Sequence, residues 1–395
     1  MNLTTPVRRR LNRRTLLRTT GGALLLVGSG GLWRALDQEV FTPRTGLAYE
    51  PWHDWQGDDQ TGPLTLIPAA ILAANAHNIQ PWRFHVSASR IDLYADPTRS
   101  IGSIDPFARE RDISLGCALE NLLLAAGVNG LAADLHLRPE GVDPMLAAHV
   151  HLMPGEPTSS SLYDAIPLRH TNRYRYDSGW HFASATREAL TALGNDDDVA
   201  ITWFATEAER QAMAELLVAA AKAINADHEQ SSDNIDRWLR QDADAVQRHR
   251  DGLILDAAGL SPLELVAAKM LPQQSLTSAA AAWLTSEEEQ VATAAAFGLL
   301  TVRDPASASQ RMKVGRLWQR THLWLTDAGL AAQPMNQIHE RVDREQQRGL
   351  EPTFGEALQR LLGDPSRQGI FTFRLGFPTR GAPASPRRAF RDVLV

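Results

Sequence analysis

Strand-like runs are mixed with longer runs of helical period in both halves of this chain of 395 residues. Alternating or short apolar runs predict strands over residues 82–88, 90–95, 133–139, 147–154, 201–207, 296–302 and 370–377. Apolar residues at helical spacing, together with capping signals, predict helices over residues 64–74, 111–130, 207–226, 232–250 and 309–326, and another that starts at Ser261. Because these elements lack the regular order of a doubly wound parallel sheet, the pattern favours an α+β fold.

Composition excludes several classes of protein. With 44% hydrophobic and 22% charged residues, the chain can form one large or two medium globular domains. A formal net charge of −6 provides no basic field for DNA or RNA. The single cysteine, Cys117, rules out an internal disulfide and any metal site built from several thiolates. Since Cys117 lies in an apolar run of helical period, we expect it to pack in the core.

The first 35 residues have the order of an export signal. Five arginines in RRRLNRR precede the apolar stretch GGALLLVGSGGLW. Residues 12–18 resemble the twin-arginine signal, which directs the export of folded proteins. We therefore expect a periplasmic protein, whose signal is either cleaved or retained as a membrane anchor. The alternative is a disordered basic tail, and residues 36–60 are predicted to be a linker.

The sequence lacks the signatures of several common enzyme classes. The chain has no G-x-S-x-G elbow, no P-loop, no H-E-x-x-H motif and no dinucleotide-binding fingerprint. His149 and His151 lie two residues apart and would share one face of a strand. They could hold a metal ion, but without a third ligand an ordinary exposed strand face is the favoured interpretation.

Two polar segments are candidates for a binding site. ANAHNIQPW, at residues 74–82, lies between a helical run and a strand. RHTNRYRY begins at Arg169 and places three guanidinium groups within seven positions. Arg169, Thr171 and Arg173 would project together from an extended segment, and arginine is well suited to bind phosphate or another anionic group. A solvated basic loop and a capped helix end are the alternatives.

Together with GLAAQPMNQ at residues 329–337 and a tail rich in Arg and Pro, these segments resemble the nitroreductase family of flavoproteins. The similarity is greatest to the Acg-like branch, in which two nitroreductase-like halves are fused in one chain. It spans roughly residues 61–395. The resemblance implies a nitroreductase-like fold with lobes at residues 61–178 and 179–395, which form an internal pseudo-dimer and could leave the protein monomeric.

The resemblance also implies a flavin mononucleotide (FMN) site between the lobes. Asn78 and Gln80 would supply amide groups near the ring or the substrate. Arg169 would contact the phosphate, while Thr171 and Arg173 would lie at the pyrimidine side of the ring. A cation at that side would stabilise the reduced flavin, and Arg173 is the candidate for this role.

The second half supplies the remaining residues of the implied site. Arg387 and Arg388 match basic residues of the family that close on the phosphate from the C-terminal tail. Asn336 and Gln337 occupy positions where many nitroreductases have a glutamate and a glycine beside the flavin. This departure alters the polarity and the space next to the ring.

The implied function is FMN-dependent transfer of electrons or hydride to an electron-poor acceptor, such as a nitro compound or a quinone. The flavin carries the chemistry, so no side chain is predicted to be catalytic. The electron donor stays open because nicotinamide cofactors are scarce outside the cytoplasm. The alternative is a protein that stores or sequesters FMN without turnover.

Overall fold

The computed structural model describes residues 44–56, 60–141, 143–194, 196–270 and 275–395. The predicted export signal and possible membrane anchor at residues 1–35 lie outside these ranges. Within them, no helix has the length and apolar character needed to cross a bilayer.

The first lobe contains a four-stranded sheet. Its strands are β1 (Trp82–Val86), β2 (Arg90–Ala95), β3 (Leu131–Leu137) and β4 (Leu146–Pro154). The spatial order is β1-β2-β4-β3, and every neighbouring pair is antiparallel. In β1 the buried Trp82 and Phe84 alternate with the exposed Arg83 and His85, as the sequence pattern predicts.

The second lobe repeats this arrangement. Its strands are β5 (Val199–Phe204), β8 (Ala296–Val302), β9 (Ala331–Pro334) and β10 (Gln368–Gly376), and a separate parallel pair comprises β6 (Leu239–Arg240) and β7 (Leu253–Ile254). The main sheet has the order β5-β8-β10-β9, again antiparallel throughout. In both sheets the fourth strand therefore lies between the second and the third, which makes the lobes related units.

Helices cover the two sheets and connect their strands. They are α1 (Ile67–Ala70), α2 (Arg109–Val128), α3 (Ser161–Asp164), α4 (Ser184–Thr191), α5 (Glu207–Ala226), α6 (His228–Ile235), α7 (Ala243–His249), α8 (Pro262–Met270), α9 (Leu276–Ala292), α10 (Ala308–Asp327), α11 (Gln337–Arg348) and α12 (Thr353–Leu362). The structure is thus an α+β fold of two related lobes fused as an internal pseudo-dimer.

The lobes meet where α2 crosses α10, the long helix at the same place in the other lobe. Gly116 and Gly315 face each other at this crossing. A Cβ atom on Gly116 would lie 2.0 Å from the carbonyl oxygen of Met312, and one on Gly315 would lie 1.9 Å from that of Ile113. Only glycine permits this approach of the two backbones.

Polar contacts fix the register of the same crossing. Glu120 on α2 accepts hydrogen bonds from Arg316 at 2.8 Å and Arg320 at 2.5 Å on α10. The amide of Gln319 donates to Asn121 at 2.8 Å. Ion pairs and an amide–amide hydrogen bond thus join the lobes in addition to apolar packing.

The C-terminal tail crosses from the second lobe to the first. Leu394 pairs with Phe84 in a parallel bridge, and the backbone N–H of Val395 donates to the carbonyl of Phe84 at 3.0 Å. The tail thereby extends the edge of the first sheet at β1. Within the predicted linker, Ala48 and Trp52 are buried, and the indole N–H of Trp52 donates to the carbonyl of Ser385 at 2.7 Å.

Most predicted elements are confirmed, and two helices differ. The capping box of Thr206 and Glu209 starts α5 as expected, and Cys117 is buried. The helix predicted over residues 64–74 is wrong in length, because its first part is a 3₁₀ turn and only α1 is α-helical. The helix predicted over residues 232–250 is divided into α6 and α7, because Asp242 accepts a hydrogen bond from the N–H of Ala245 at 2.7 Å and starts a new helix.

The glycine crossing makes a prediction about stability. Gly315→Ala should destabilise the protein by about 2 kcal/mol or more, although alanine favours a helix by about 1 kcal/mol, because the added methyl group overlaps a backbone carbonyl. Urea unfolding measures the difference. Gly381→Ala is the control, since a Cβ there meets nothing within 4 Å; equal stability of the two variants would contradict the packing account.

Candidate functional site

A cavity of about 700 Å³ lies between the two lobes. Its wall includes residues 74–78 and α2 of the first lobe, and parts of α9 and α11 of the second. Of the residues predicted from sequence, six line this cavity: Asn78, Arg169, Thr171, Arg173, Asn336 and Arg387. Gln80 and Arg388 do not.

The junction before β1 has an unusual backbone. His77, Asn78 and Gln80 have φ values of 46°, 55° and 51°, in the left-handed region that side chains disfavour. Each such residue costs of order 1 to 3 kcal/mol unless its surroundings stabilise it. Here the amide of Asn78 donates to the carbonyls of Gly252 at 3.2 Å and Pro386 at 2.9 Å. The strained turn directs His77 and Asn78 into the cavity wall.

Gln80 and Arg388 bind each other instead of facing the cavity. The side-chain oxygen of Gln80 accepts the backbone N–H of Arg388 at 2.9 Å, and its amide donates to the carbonyl of Arg250 at 2.8 Å. The Arg388 guanidinium donates to the carbonyls of Gln80 at 2.7 Å and Trp82 at 3.2 Å. Both side chains join the C-terminal tail to the first lobe, so the structure does not bring them to the site.

One end of the cavity is strongly cationic. Arg169 and Arg387 are only 2% and 3% exposed, and the charge of Arg169 acts on Arg387. Arg173 also lines the cavity. Arg169 donates to the carbonyl of Leu72 at 3.0 Å, and Arg173 to that of Ala257 at 3.1 Å. Arg387 contacts backbone carbonyls and the side-chain oxygen of Asn78.

Arg169 and Arg387 have no carboxylate partner among the described residues, and their Nε atoms have no hydrogen-bond acceptor there. Arg173 differs, because its charge acts on the carboxyl group of Glu287. Burial lowers the pKa of Arg169 to about 10, and it lowers the pKa of Arg387 well below its usual value. Unpaired buried charges are costly. An anionic group such as a phosphate would remove this cost, so the residues fit an anionic ligand.

Two aromatic residues complete the cationic end. The rings of Trp52 and His170 meet edge to face with centroids 4.6 Å apart, and the Arg387 guanidinium lies 4.9 Å from the Trp52 ring. Burial and the charges of Arg169 and Arg387 lower the pKa of His170 to about 3, so its imidazole is neutral. Sequence reasoning missed Trp52 because it lies in the segment assigned to a linker.

Amides and carboxyl groups line other parts of the cavity. Asn336 accepts the N–H of Thr372 at 3.1 Å, and its amide hydrogens have no acceptor among the described residues. Glu110, Glu287 and Glu340 also line the cavity. Burial raises the pKa of Glu287 to about 8, so this group is protonated at neutral pH. Sequence reasoning missed all three glutamates, since no motif relates positions so far apart.

Arg374 anchors the arginine-rich segment to the second lobe. This fully buried residue on β10 lies over the ring of Tyr176, 3.9 Å from its centroid. It donates to the carbonyls of Tyr174 at 2.8 Å and Gln290 at 2.6 Å. Arg374 therefore positions the backbone on either side of Arg173.

The two histidines on β4 lie outside the cavity lining. The Nδ1 atom of His149 is 2.6 Å from a carboxylate oxygen of Asp92 on the neighbouring strand. The ring of His151 lies 6.2 Å from that of His149. In the part of the chain that the structure describes, no group of three or more His, Cys, Asp or Glu is placed to hold a metal ion.

The chain was compared with known proteins. No family model matches it. The Mycobacterium tuberculosis protein named "Putative NAD(P)H nitroreductase Rv3131" is 32% identical over 114 residues, which is 28% of this chain and 33% of the relative. "Putative NAD(P)H nitroreductase acg" from the same organism is 28% identical over 110 residues, 27% of this chain and 33% of the relative. The chain thus spans about a third of the length of the curated relatives it matches.

Solved structures give a weaker likeness. A protein from Anabaena variabilis described as "a putative nitroreductase" is 13% identical, with a TM-score of 0.39 over 87% of this chain and 91% of the other. The FMN-dependent nitroreductase NfnB from Mycobacterium smegmatis, solved with NADPH, is 14% identical, with a TM-score of 0.33 over 59% and 96%. At these scores the likeness carries no inference about a ligand.

The unpaired cations lead to a prediction for the unliganded protein. Arg169→Met should lower the free energy of unfolding by less than about 1 kcal/mol, because loss of a desolvated charge offsets the lost hydrogen bonds. Denaturant unfolding measures this. Arg109→Met is the matched comparison: Arg109 is equally buried but pairs with Asp343 at 2.8 Å. Arg109→Met should lower the free energy of unfolding by about 3 to 5 kcal/mol. Similar decreases for both variants would refute the account of an unpaired charge at Arg169.

Proposed function

We propose that the chain is an FMN-dependent oxidoreductase, which is supported by its similarity, over about a third of their length, to relatives named as NAD(P)H nitroreductases. It passes electrons or a hydride to an electron-poor, planar acceptor such as a quinone or a nitro compound. One observation carries the proposal: a cavity of about 700 Å³ has buried arginines without acidic partners at one end. Small-molecule sites typically enclose about 300 to 1,000 Å³, and a phosphate is the ligand group that such arginines favour.

The residues present fit FMN as follows. Arg169 and Arg387 hold the phosphate, since both are buried at the same end and each has an Nε–H without an acceptor among the described residues. Arg173 and Thr171 would face the pyrimidine edge of the ring, where the guanidinium would stabilise the negative charge of the reduced form. When bound, FMN supplies the hydride or electron transfer, and the side chains bind and orient it.

Amides and apolar groups complete the proposed site. The free amide hydrogens of Asn336 can donate to a ring carbonyl or to the acceptor. Trp318 and Phe371 lie in the wall with ring centroids 5.0 Å apart and offer apolar surface to a planar ring system. Asn78 braces Arg387, so its proposed contribution to phosphate binding is partly indirect.

We also propose that residues 1–35 direct export by the twin-arginine route. That route carries folded proteins, so FMN can be loaded in the cytoplasm before transfer. A donor other than NAD(P)H then reduces the protein in the periplasm. The relatives are named for NAD(P)H, and this part of the proposal departs from their names.

The phosphate assignment predicts a change in affinity. Arg169→Ala should weaken FMN binding by about 2 kcal/mol, roughly 30-fold, because a charge-assisted contact is lost. Titration of FMN fluorescence measures the affinity. Arg175→Ala is the matched control, since Arg175 belongs to the same segment but is exposed and outside the cavity lining. Equal affinities for the two variants would remove Arg169 from the site.

Turnover separates the oxidoreductase from an FMN-storing protein. The loaded protein is reduced with dithionite under anaerobic conditions and mixed with a quinone or a nitroaromatic compound. Return of the oxidised flavin absorbance, faster than in buffer without acceptor, supports the oxidoreductase. Bound flavin that stays reduced in the presence of every acceptor favours storage.

A further inference from the structure

We propose that Glu110 and Glu340, one carboxyl group from each lobe, share a proton inside the cavity and donate it to the acceptor during reduction. Glu110 lies on α2 and Glu340 on α11, and they are called the carboxyl pair below. The proposal rests on the proposed function, because it assigns a proton donor to that same reaction.

The placement of the carboxyl pair favours a bound proton. Both side chains line the cavity and are only 5% and 6% exposed. The two carboxyl groups act directly on each other's ionisation, and two neighbouring buried carboxyl groups can hydrogen-bond to each other only if one of them is protonated. A shared proton is therefore held at the cavity wall, away from bulk water.

The surroundings keep this proton in place. Arg109 lies 3.3 Å from Glu110, but its charge is largely matched by Asp343 at 2.8 Å. The other titratable groups that face the carboxyl pair are Asp105, which accepts the backbone N–H of Glu110 at 3.0 Å, and Glu287 on α9. Burial, opposed in part by Arg109, raises the pKa of Glu110 to about 7 and raises that of Glu340 well above its usual value.

A second observation places a ligand beside the carboxyl pair. Gln337 and Glu287 are buried in the cavity wall. In each side chain, one oxygen has no hydrogen-bond partner among the described residues. Gln337 precedes Glu340 by three positions on α11, so the two lie on the same side of the helix. Unpaired buried polar atoms need partners, and a bound acceptor can supply them.

The proposed step balances as follows. Reduction of a quinone to a hydroquinone takes two electrons and two protons. The acceptor gains a hydride from the reduced cofactor, which accounts for both electrons and one proton. The second proton leaves the carboxyl pair: its O–H bond breaks and a new O–H bond forms at the quinone oxygen. The pair is left with both carboxyl groups ionised, beside Arg109 at 3.3 Å from Glu110, until a proton from the solvent restores it.

Two acceptors test the step in the FMN-loaded protein. Reduced protein is mixed rapidly with 1,4-benzoquinone, which needs protons, or with ferricyanide, which accepts electrons alone. Glu340→Gln and Glu110→Gln should each slow the quinone reaction about 100-fold and leave the ferricyanide reaction within about twofold. In the wild type the quinone rate should fall as the pH rises through and above about 7, while the variants lose this dependence. Glu288→Gln, exposed on α9, is the control and should match the wild type.

An infrared measurement provides a readout independent of turnover. The carbonyl stretch of a protonated carboxyl group, recognised by its shift in D₂O, should lose intensity in the double variant Glu110→Gln/Glu340→Gln. Equal slowing with both acceptors, unchanged quinone rates or an unchanged infrared band would overturn the proposal. Failure of the wild type to bind FMN or to reduce either acceptor would instead refute the proposed function.

Discussion

The close crossing of α2 and α10 determines how the rest of the molecule is arranged. Two glycines let the backbones approach, and the paired charges around Glu120 fix their register. The cavity lies beside this contact, and α2 contributes Ile113, Ser114 and Cys117 to its wall. A change in the separation of the two helices would therefore move the walls of the cavity relative to each other, so the stability of the interface and the shape of the site cannot be adjusted independently.

The charged groups are not evenly distributed around the cavity. Arg169 and Arg387 act on each other and have no carboxylate partner among the described residues, whereas burial raises the pKa of Glu287, which lies near Arg173. This arrangement fits a ligand that has an anionic group and a neutral ring. Costly groups also collect around the cavity: desolvated charges, buried polar atoms without a partner among the described residues, and His77 and Asn78 in the left-handed region. Such local conflicts are typical of functional sites, where binding a ligand offsets them.

Sequence patterns predicted local structure better than the site. Strands such as β8 and the capped start of α5 depend on neighbouring residues, so they could be read directly. The strained turn at His77 could not, because left-handed φ values at non-glycine residues follow from tertiary contacts. Arg387 and Arg388 show the limit most clearly: they are adjacent in sequence, yet only the first lines the cavity. The carboxyl pair brings together residues 230 positions apart, and no local signal relates them.

The C-terminal tail links completion of the site to the order of synthesis. It returns from the second lobe, extends the edge of the first sheet next to β1, and carries Arg387 into the cavity. Domains form from the N-terminal side as a chain emerges from the ribosome. The first lobe can therefore assemble its sheet early. The part of the cavity wall that contains Arg387 is missing until residues 377–395 have emerged. Binding at the proposed phosphate site therefore requires that residues 377–395 have folded against the first lobe.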